Sequence, residues 1–440
     1  MVIMKKKFYL RVMALLMMTF TALCFTVGCD PNENSGDIST GDTLPATEPQ
    51  TTVAPETTQD PAAEALKNEV LELMADDDGD KESLTTLFVP FCGDYKVGNF
   101  SKSNDFAVSL DSIYQKNGVS TIKYADGSYT HTMVRDGVQF SISEKDGKSE
   151  LAGTLDVAGD SYVPSVFYDF GIDISSFYSG KVESSDDIED PKLTADMLSV
   201  DATYQICTFS DEYVREAARL MCASLDYNEA ETQEFFSGYE GSGTYYAADK
   251  KVVFVIKGRE KSIGDVTITL TYSKDDKGGE VSSVKTDFVV ESGGMTIPTS
   301  QEIITRNVEY DGNKPVAAYF ELRALASSEF SNQGISGSVA STQISGIYLN
   351  IKDADNICFD VNVTATATTV IAGQKTESET MISLRKTDGK YENFYYTVSQ
   401  DHIEQASLVG NITFGTPDVP KPATDMEAII KAELDKRSSI

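Results

Sequence analysis

From residue 106 onward, apolar positions mostly alternate with polar ones at a period of two, the mark of strands with one dry face and one wet face. Phe106, Val108 and Leu110 interleave with Ala107, Ser109 and Asp111, and the rhythm predicts strands at 106–114, 119–124, 129–135, 138–143 and 149–157. The breaks carry Asn117-Gly118, Asp126-Gly127, Asp136-Gly137 and Asp146-Gly147, nine or ten residues apart. Asn-Gly and Asp-Gly accept the positive φ angles of two-residue hairpins, so these strands are expected to form an antiparallel up-and-down meander.

The period changes to helical at three places. Pro61 suits a first helical position, and Leu66, Val70, Leu73 and Met74 recur at helical spacing before the acidic cluster 76–80 stops the run. Ser210 is expected to cap a helix striped by Val214, Ala217, Ala218, Met221 and Leu225. Asn228 and Glu231 form a capping box for a second helix ending at Gly238, and Thr424 with Glu427 form another ahead of Met426, Ile430 and Leu434. Between these helices strands resume at 252–256, 266–271, 281–290, 346–351, 357–370, 375–385 and 391–398, with Thr387-Asp388-Gly389 as a hairpin signal. Residues 327–343, rich in Ser, Gly and Gln, read as a long loop. The fold class is therefore α+β and β-dominated: antiparallel meanders forming a curved sheet or half-barrel, with a few amphipathic helices.

The N-terminus is organised differently. Lys5, Lys6, Lys7 and Arg11 precede an uncharged apolar stretch at 12–27, short for a membrane span and typical of an export signal. It ends in Thr26-Val27-Gly28-Cys29, which resembles a bacterial lipobox, although the position three before the cysteine is Thr rather than the usual Leu. That resemblance implies diacylglycerol on Cys29 and removal of residues 1–28, leaving the protein lipid-anchored to the outer face of the bacterial membrane. Residues 29–61 contain almost no large apolar side chains and read as a disordered Thr/Pro/acidic tether with a reach of roughly 30 Å. The expected segments are then 62–200 (helix plus meander), 201–326 (helical pair plus second meander), 327–416 (C-terminal β region) and 417–440 (C-terminal helix).

Charge narrows the partners. The chain carries a formal charge of −32, and cleavage before Cys29 leaves 33 bases against 69 acids, or −36. Such a surface repels phosphate backbones, so nucleic acid is not an expected partner. Cys92, Cys207, Cys222 and Cys358 are widely spaced; in an exported chain they either pair or remain as buried thiols. With only His131 and His402, and neither near a soft ligand in sequence, no metal or other cofactor is expected.

No catalytic constellation emerges. Gly159-Asp160-Ser161 resembles the nucleophile block of SGNH esterases, but the Asp-x-x-His they require is missing: Ser399 precedes His402 at that spacing, and Ser128 precedes His131. The 76–80 cluster fails as a calcium loop, since Gly79 at the sixth position puts Met74 at the first. Tyr245-Tyr246 and Tyr395-Tyr396 are the densest aromatic spots, each expected to put one ring in the core and one outside.

The order helix, Asx-Gly hairpins, inserted helices, further strands, with phrases such as Arg135-Asp136-Gly137-Val138-Gln139-Phe140 and Glu144-Lys145-Asp146-Gly147-Lys148, resembles the LolA/LppX-like envelope lipoproteins over residues 62 to about 320. The resemblance implies a half-barrel whose concave, helix-plugged face holds acyl chains, and it transfers no specific binding residue. The expected function is a non-enzymatic surface binding or carrier protein for an apolar or lipid ligand. The alternative is an adhesion or assembly module that binds protein or glycan.

Overall fold

Strands account for most of the chain: β1 (Tyr95–Lys102), β2 (Leu110–Lys116), β3 (Val119–Tyr124), β4 (Tyr129–Arg135), β5 (Val138–Lys145), β6 (Lys148–Asp156), β7 (Leu198–Asp201), β8 (Ile206–Phe209), β9 (Glu240–Tyr246), β10 (Lys251–Glu260), β11 (Gly264–Lys274), β12 (Glu280–Ser292), β13 (Met295–Asp311), β14 (Lys314–Asn332), β15 (Ile335–Asn350), β16 (Cys358–Ile371), β17 (Gln374–Lys386), β18 (Phe394–Gln400) and β19 (Ile403–Phe414). This computed structural model describes residues 61–74, 81–102, 110–156, 163–178, 191–224, 227–261, 263–274, 279–292, 295–332, 335–353, 357–386, 394–415, 417–422 and 425–438. Cys29 and the tether, the 76–80 cluster, Gly159-Asp160-Ser161, Leu225 and Thr387-Asp388-Gly389 lie outside them. No helix among the described residues is long and apolar enough to cross a membrane.

All nineteen strands belong to one antiparallel, unclosed sheet. Each strand pairs with its neighbour in sequence except that β6 and β7 do not pair, and β1 pairs with β19 as well as with β2. The sheet therefore runs β6 to β1, then β19 back to β7, with β6 and β7 at its edges. The chain starts inside the sheet, grows to one edge, crosses to the other and returns to close on its own first strand.

The Asx-Gly hairpins form as expected at three of the four sites. Asn117, Asp136 and Asp146 have φ of 51°, 51° and 53°, each followed by a left-handed Gly. Asp126-Gly127 differs: only Gly127 is left-handed, and the longer turn is closed by the Tyr124 and Ser128 backbones at 2.9 Å. A larger correction concerns residues 327–343, expected as a loop. Residues 327–332 are the end of β14 and 335–343 the start of β15, paired without a break from Ala326↔Ser341 to Asn332↔Ile335, while 333 and 334 lie outside the described residues. Ser and Gly are carried in this strand pair because the two strands pair with each other and β16 pairs along 337–343, which outweighs weak intrinsic preference.

Helices cover the sheet at three places. On the inner face, α1 (Pro61–Met74), α3 (Asp211–Ser224) and α4 (Glu229–Ser237) pack over β8–β12. The α3 stripe is buried as its spacing predicts, and Ser210 and Asn228 cap α3 and α4. Gly258 lets α4 lie close, since a Cβ there would meet the Phe235 ring at 2.4 Å. The inner face from β13 through β19 to β2 is covered by the 3₁₀ helix Leu84–Phe91 and by residues 163–178, which include the short α2 (Val166–Asp169). Finally, α5 (Met426–Arg437) sets Ile430 against Met133, Phe140 and Ile142 on the opposite face. Its capping side chain is Asp425, which accepts from the Glu427 amide at 3.1 Å, one residue later than the expected Thr424.

The inner face is concave. The Phe91 ring lies 5.7 Å from Phe359 on β16 and 5.9 Å from Phe414 on β19, so those two rings are no more than about 12 Å apart. Three strand spacings of a flat sheet would separate them by about 14 Å. Phe88, one 3₁₀ turn earlier, reaches Phe320 of β14 at 5.0 Å. The sheet curls around this short aromatic helix.

Candidate functional site on the inner face

Because β11 to β17 pair without register shifts over their hairpin-side halves, side chains fall into lateral rows on each face. One inner row runs Leu270, Val284, Ile303, Leu322, Ser345, Val363, Ile382 and joins the core. The next row toward the hairpins changes character: Ile268, Thr286, Gln301, Ala324, Gln343, Ala365, Thr380. After it come Val266, Phe288, Thr299, Ala326, Ser341, Ala367, Ser378. Thus the face that carries Phe320 and Phe359 at one end carries Ala, Ser, Thr and Gln at the other.

This distal surface is graded in depth. Thr286, Gln301, Ala324 and Ala326 are at most 6% exposed, Gln343, Ala365 and Ala367 are half-buried, and Ser378 and Thr380 on β17 are exposed. Side chains are thus covered at β12–β14 and meet solvent at β17, and this graded inner surface is referred to below as the trough. Small side chains on a concave face leave room that Leu or Phe would fill.

Several of its polar groups have partners. Thr299 donates to the Ile297 carbonyl at 3.2 Å, and Gln343 Nε2 donates to Ser345 at 3.1 Å. Gln301 Nε2 and Thr286 Oγ1, direct cross-strand neighbours, are buried with no hydrogen-bond partner, as is Thr305 Oγ1 nearer the core. Leaving such a group unpaired costs about 1–3 kcal/mol, which makes each one a mark of something the fold alone does not satisfy.

Charge is sorted by face. On β17, Lys375, Glu377 and Glu379 point outward and alternate with Thr376, Ser378 and Thr380 on the trough side, although both sets are largely solvent-accessible. Likewise Lys285, Asp287, Glu302 and Arg323 all lie on the outer face. There Arg306 and Arg323 grip Glu321, and Arg306 lies 4.5 Å from the centre of the Tyr319 ring. Among the described residues of β12–β17, every inner position from the Leu322 row to the hairpins is uncharged.

The residues singled out by sequence lie elsewhere. His131 is buried on the outer face between β3 and β5, 3.0 Å from Thr121 Oγ1, with Glu144 at 3.7 Å; burial holds its pKa below the ordinary value. His402 sits at the exposed β18–β19 turn, so the two histidines are not brought together. Tyr245 is fully buried and Tyr246 is 42% exposed, as strand alternation requires. Tyr396 packs on the core while Tyr395 lies under Arg385. Among the described residues Cys92, Cys207, Cys222 and Cys358 form no disulfide, and burial pushes Cys92 and Cys222 up to about 12, well away from reactivity. No group of three or more His, Cys, Asp or Glu able to hold a metal occurs among the described residues. A further half-buried acid, Asp169, accepts from the Tyr95 hydroxyl and bonds Ser120; desolvation pushes its carboxyl up to about 6.

Gln301 and Thr286 were not visible as site residues in the sequence. A signal that went unread is the alternation Lys-Thr-Glu-Ser-Glu-Thr at 375–380, a strand whose two wet faces differ in charge rather than in hydrophobicity. No family model, curated protein or solved structure matches this chain.

Proposed function

We propose that the protein is a non-enzymatic binding or carrier protein, exported and anchored through lipid on Cys29, that holds a ligand in the inner-face trough of its curved sheet. One observation carries this reading: halfway along the same strands, a concave face packed with Phe and Leu gives way to small uncharged side chains with unpartnered buried polar atoms. Pockets that bind small molecules combine an apolar wall with a few convergent polar groups, and the Ile268, Phe288, Ile303 and Leu322 side chains around Gln301 supply that wall. The tether at 29–61 would then lift the trough off the membrane by roughly 30 Å.

Native mass spectrometry of residues 29–440 with Cys29→Ser, which carries no acyl chain of its own, tests the reading. A stoichiometric apolar or amphipathic adduct, released on denaturation, is expected. An unoccupied mass in every preparation, with no uptake from added lipid extract, contradicts it.

The adhesion reading finds its support on the outer face. Thr364, Thr366 and Thr368 line one side of β16, flanked by exposed Ile344 and Met381 in the Thr364 row. Binding to immobilised protein or glycan that survives filling of the trough would favour it.

A further inference from the structure

Resting on the carrier reading, we propose that the trough selects an uncharged amphipathic ligand, and that Gln301 and Thr286 bind the oxygen of its neutral polar group. Three observations converge. The first is the pair itself: Gln301 and Thr286 are opposite one another on β13 and β12, 3% and 5% exposed, and neither Gln301 Nε2 nor Thr286 Oγ1 has a partner. Directly opposed residues hold their Cβ atoms about 5 Å apart, so an amide N–H and a hydroxyl at this spacing can grip one ligand oxygen together.

The second is the absence of counter-charge. A carboxylate or phosphate brought to Gln301 would meet no Lys or Arg on the inner positions of these strands, and an ammonium group would meet no Asp or Glu. Burying an unpaired ion is far costlier than burying a hydroxyl or ester that finds a hydrogen bond. The exclusion extends to the solvent-accessible end, where Thr376, Ser378 and Thr380 are neutral beside outward Lys375, Glu377 and Glu379. Burial alone does not explain neutrality there, because exposed strand positions in so acidic a chain carry charge freely on the other face.

The third is shape. Ala324, Gln343 and Ala365 follow Gln301 along its row, with Ala326, Ser341 and Ala367 beside them, so mostly small side chains, interrupted by Gln343, lead from the buried pair to the exposed Thr380. Ile268 and Ile303 stand beside the polar pair. A ligand with its neutral head against Gln301 and its apolar part along the alanine floor satisfies both the wall and the orphaned donors.

The test uses two probes with the same chain and different heads, 1-monooleoylglycerol and oleate, on the full mature protein with Cys29→Ser. The sequence contains no tryptophan, so Thr380→Trp places a single indole at the open rim as a reporter free of background. Saturable quenching or a blue shift with monooleoylglycerol, at least tenfold tighter than with oleate at pH 8, is expected. Adding Gln301→Leu is expected to weaken monooleoylglycerol at least tenfold while raising the melting temperature of the unliganded protein. A residue with only a structural role would not weaken binding while stabilising the fold. Equal binding of both probes, unchanged by Gln301→Leu, overturns the neutral-head assignment and leaves the carrier reading in place. Saturable binding of neither probe overturns the assignment and removes the apolar-ligand basis of the carrier reading as well.

Discussion

The two ends of one sheet face make the most informative contrast in this protein. Near the 3₁₀ helix, the inner face of β13–β19 is filled by Phe88, Phe91, Phe320 and Phe359, and the half-buried Asp169 finds Tyr95 and Ser120. A few residues along the same strands, the face carries Ala324, Ala326, Ala365 and Ala367, and Gln301 Nε2 and Thr286 Oγ1 have no partner. Strand pairing around Gln301 and Thr286 is continuous, and the register shifts of β13 against β14 fall at the packed end, so irregular pairing does not explain the unpartnered atoms. One end is packed by a plug from its own chain, and the other carries small uncharged side chains and buried polar atoms without partners. In this account the first end supplies stability and the second supplies binding.

The largest expected effect tests the filled end. Phe91→Ala removes a ring packed on Phe167, Phe359 and Phe414 and should destabilise the protein by about 3–5 kcal/mol in chemical denaturation. A loss below about 1 kcal/mol would mean that the aromatic helix is not what the sheet closes upon.

Next in size is Asp169→Asn. The Asp169 carboxyl titrates near its ordinary value of 3.8 when unfolded and at about 6 when folded. Its favourable, protonated state is therefore fully present below about pH 4, and the benefit is lost as pH rises through about 6. An amide keeps an acceptor for the Tyr95 hydroxyl without the charge. The variant should match the wild type near pH 4 and exceed it at pH 7 by about 2–3 kcal/mol. Parallel pH profiles for the two proteins would contradict this.

At the open end the expected effects are smaller and partly reversed in sign. Gln301→Leu, which removes an orphaned donor, should stabilise the unliganded chain by about 1 kcal/mol. Ala367→Leu should cost less than about 1 kcal/mol, because the added methylenes enter open space, whereas overpacking a filled core costs about 1–3 kcal/mol. A full core penalty at Ala367 would erase the distinction between the two ends.

Much of the fold was legible from local chemistry. Asn117-Gly118, Asp136-Gly137 and Asp146-Gly147 announced their hairpins because positive φ has few residue solutions, and the Asn228–Glu231 box announced α4. What escaped depended on distant partners. β1 is paired with β19, some three hundred residues away, and no turn signal joins it to that partner. The 3₁₀ helix Leu84–Phe91 is short and contains Pro90, so it presents no helical period. Residues 327–343 read as a loop because Ser, Gly and Gln are poor strand formers; Ser341 and Gln343 are also trough residues. Local preference was set aside where the sheet needed small polar side chains, which is where a binding surface is expected to break the usual rules. Gln301 carried no mark at all in the sequence, since its significance lies in what fails to face it.

The most direct test of the trough is native mass spectrometry of the mature chain with Cys29→Ser beside the same chain with Ala326→Trp, which fills the floor next to Gln301. The account predicts an adduct on the first protein that is absent from the second, with both folded by circular dichroism. An adduct retained in full by the filled variant would place the ligand elsewhere and contradict the central claim.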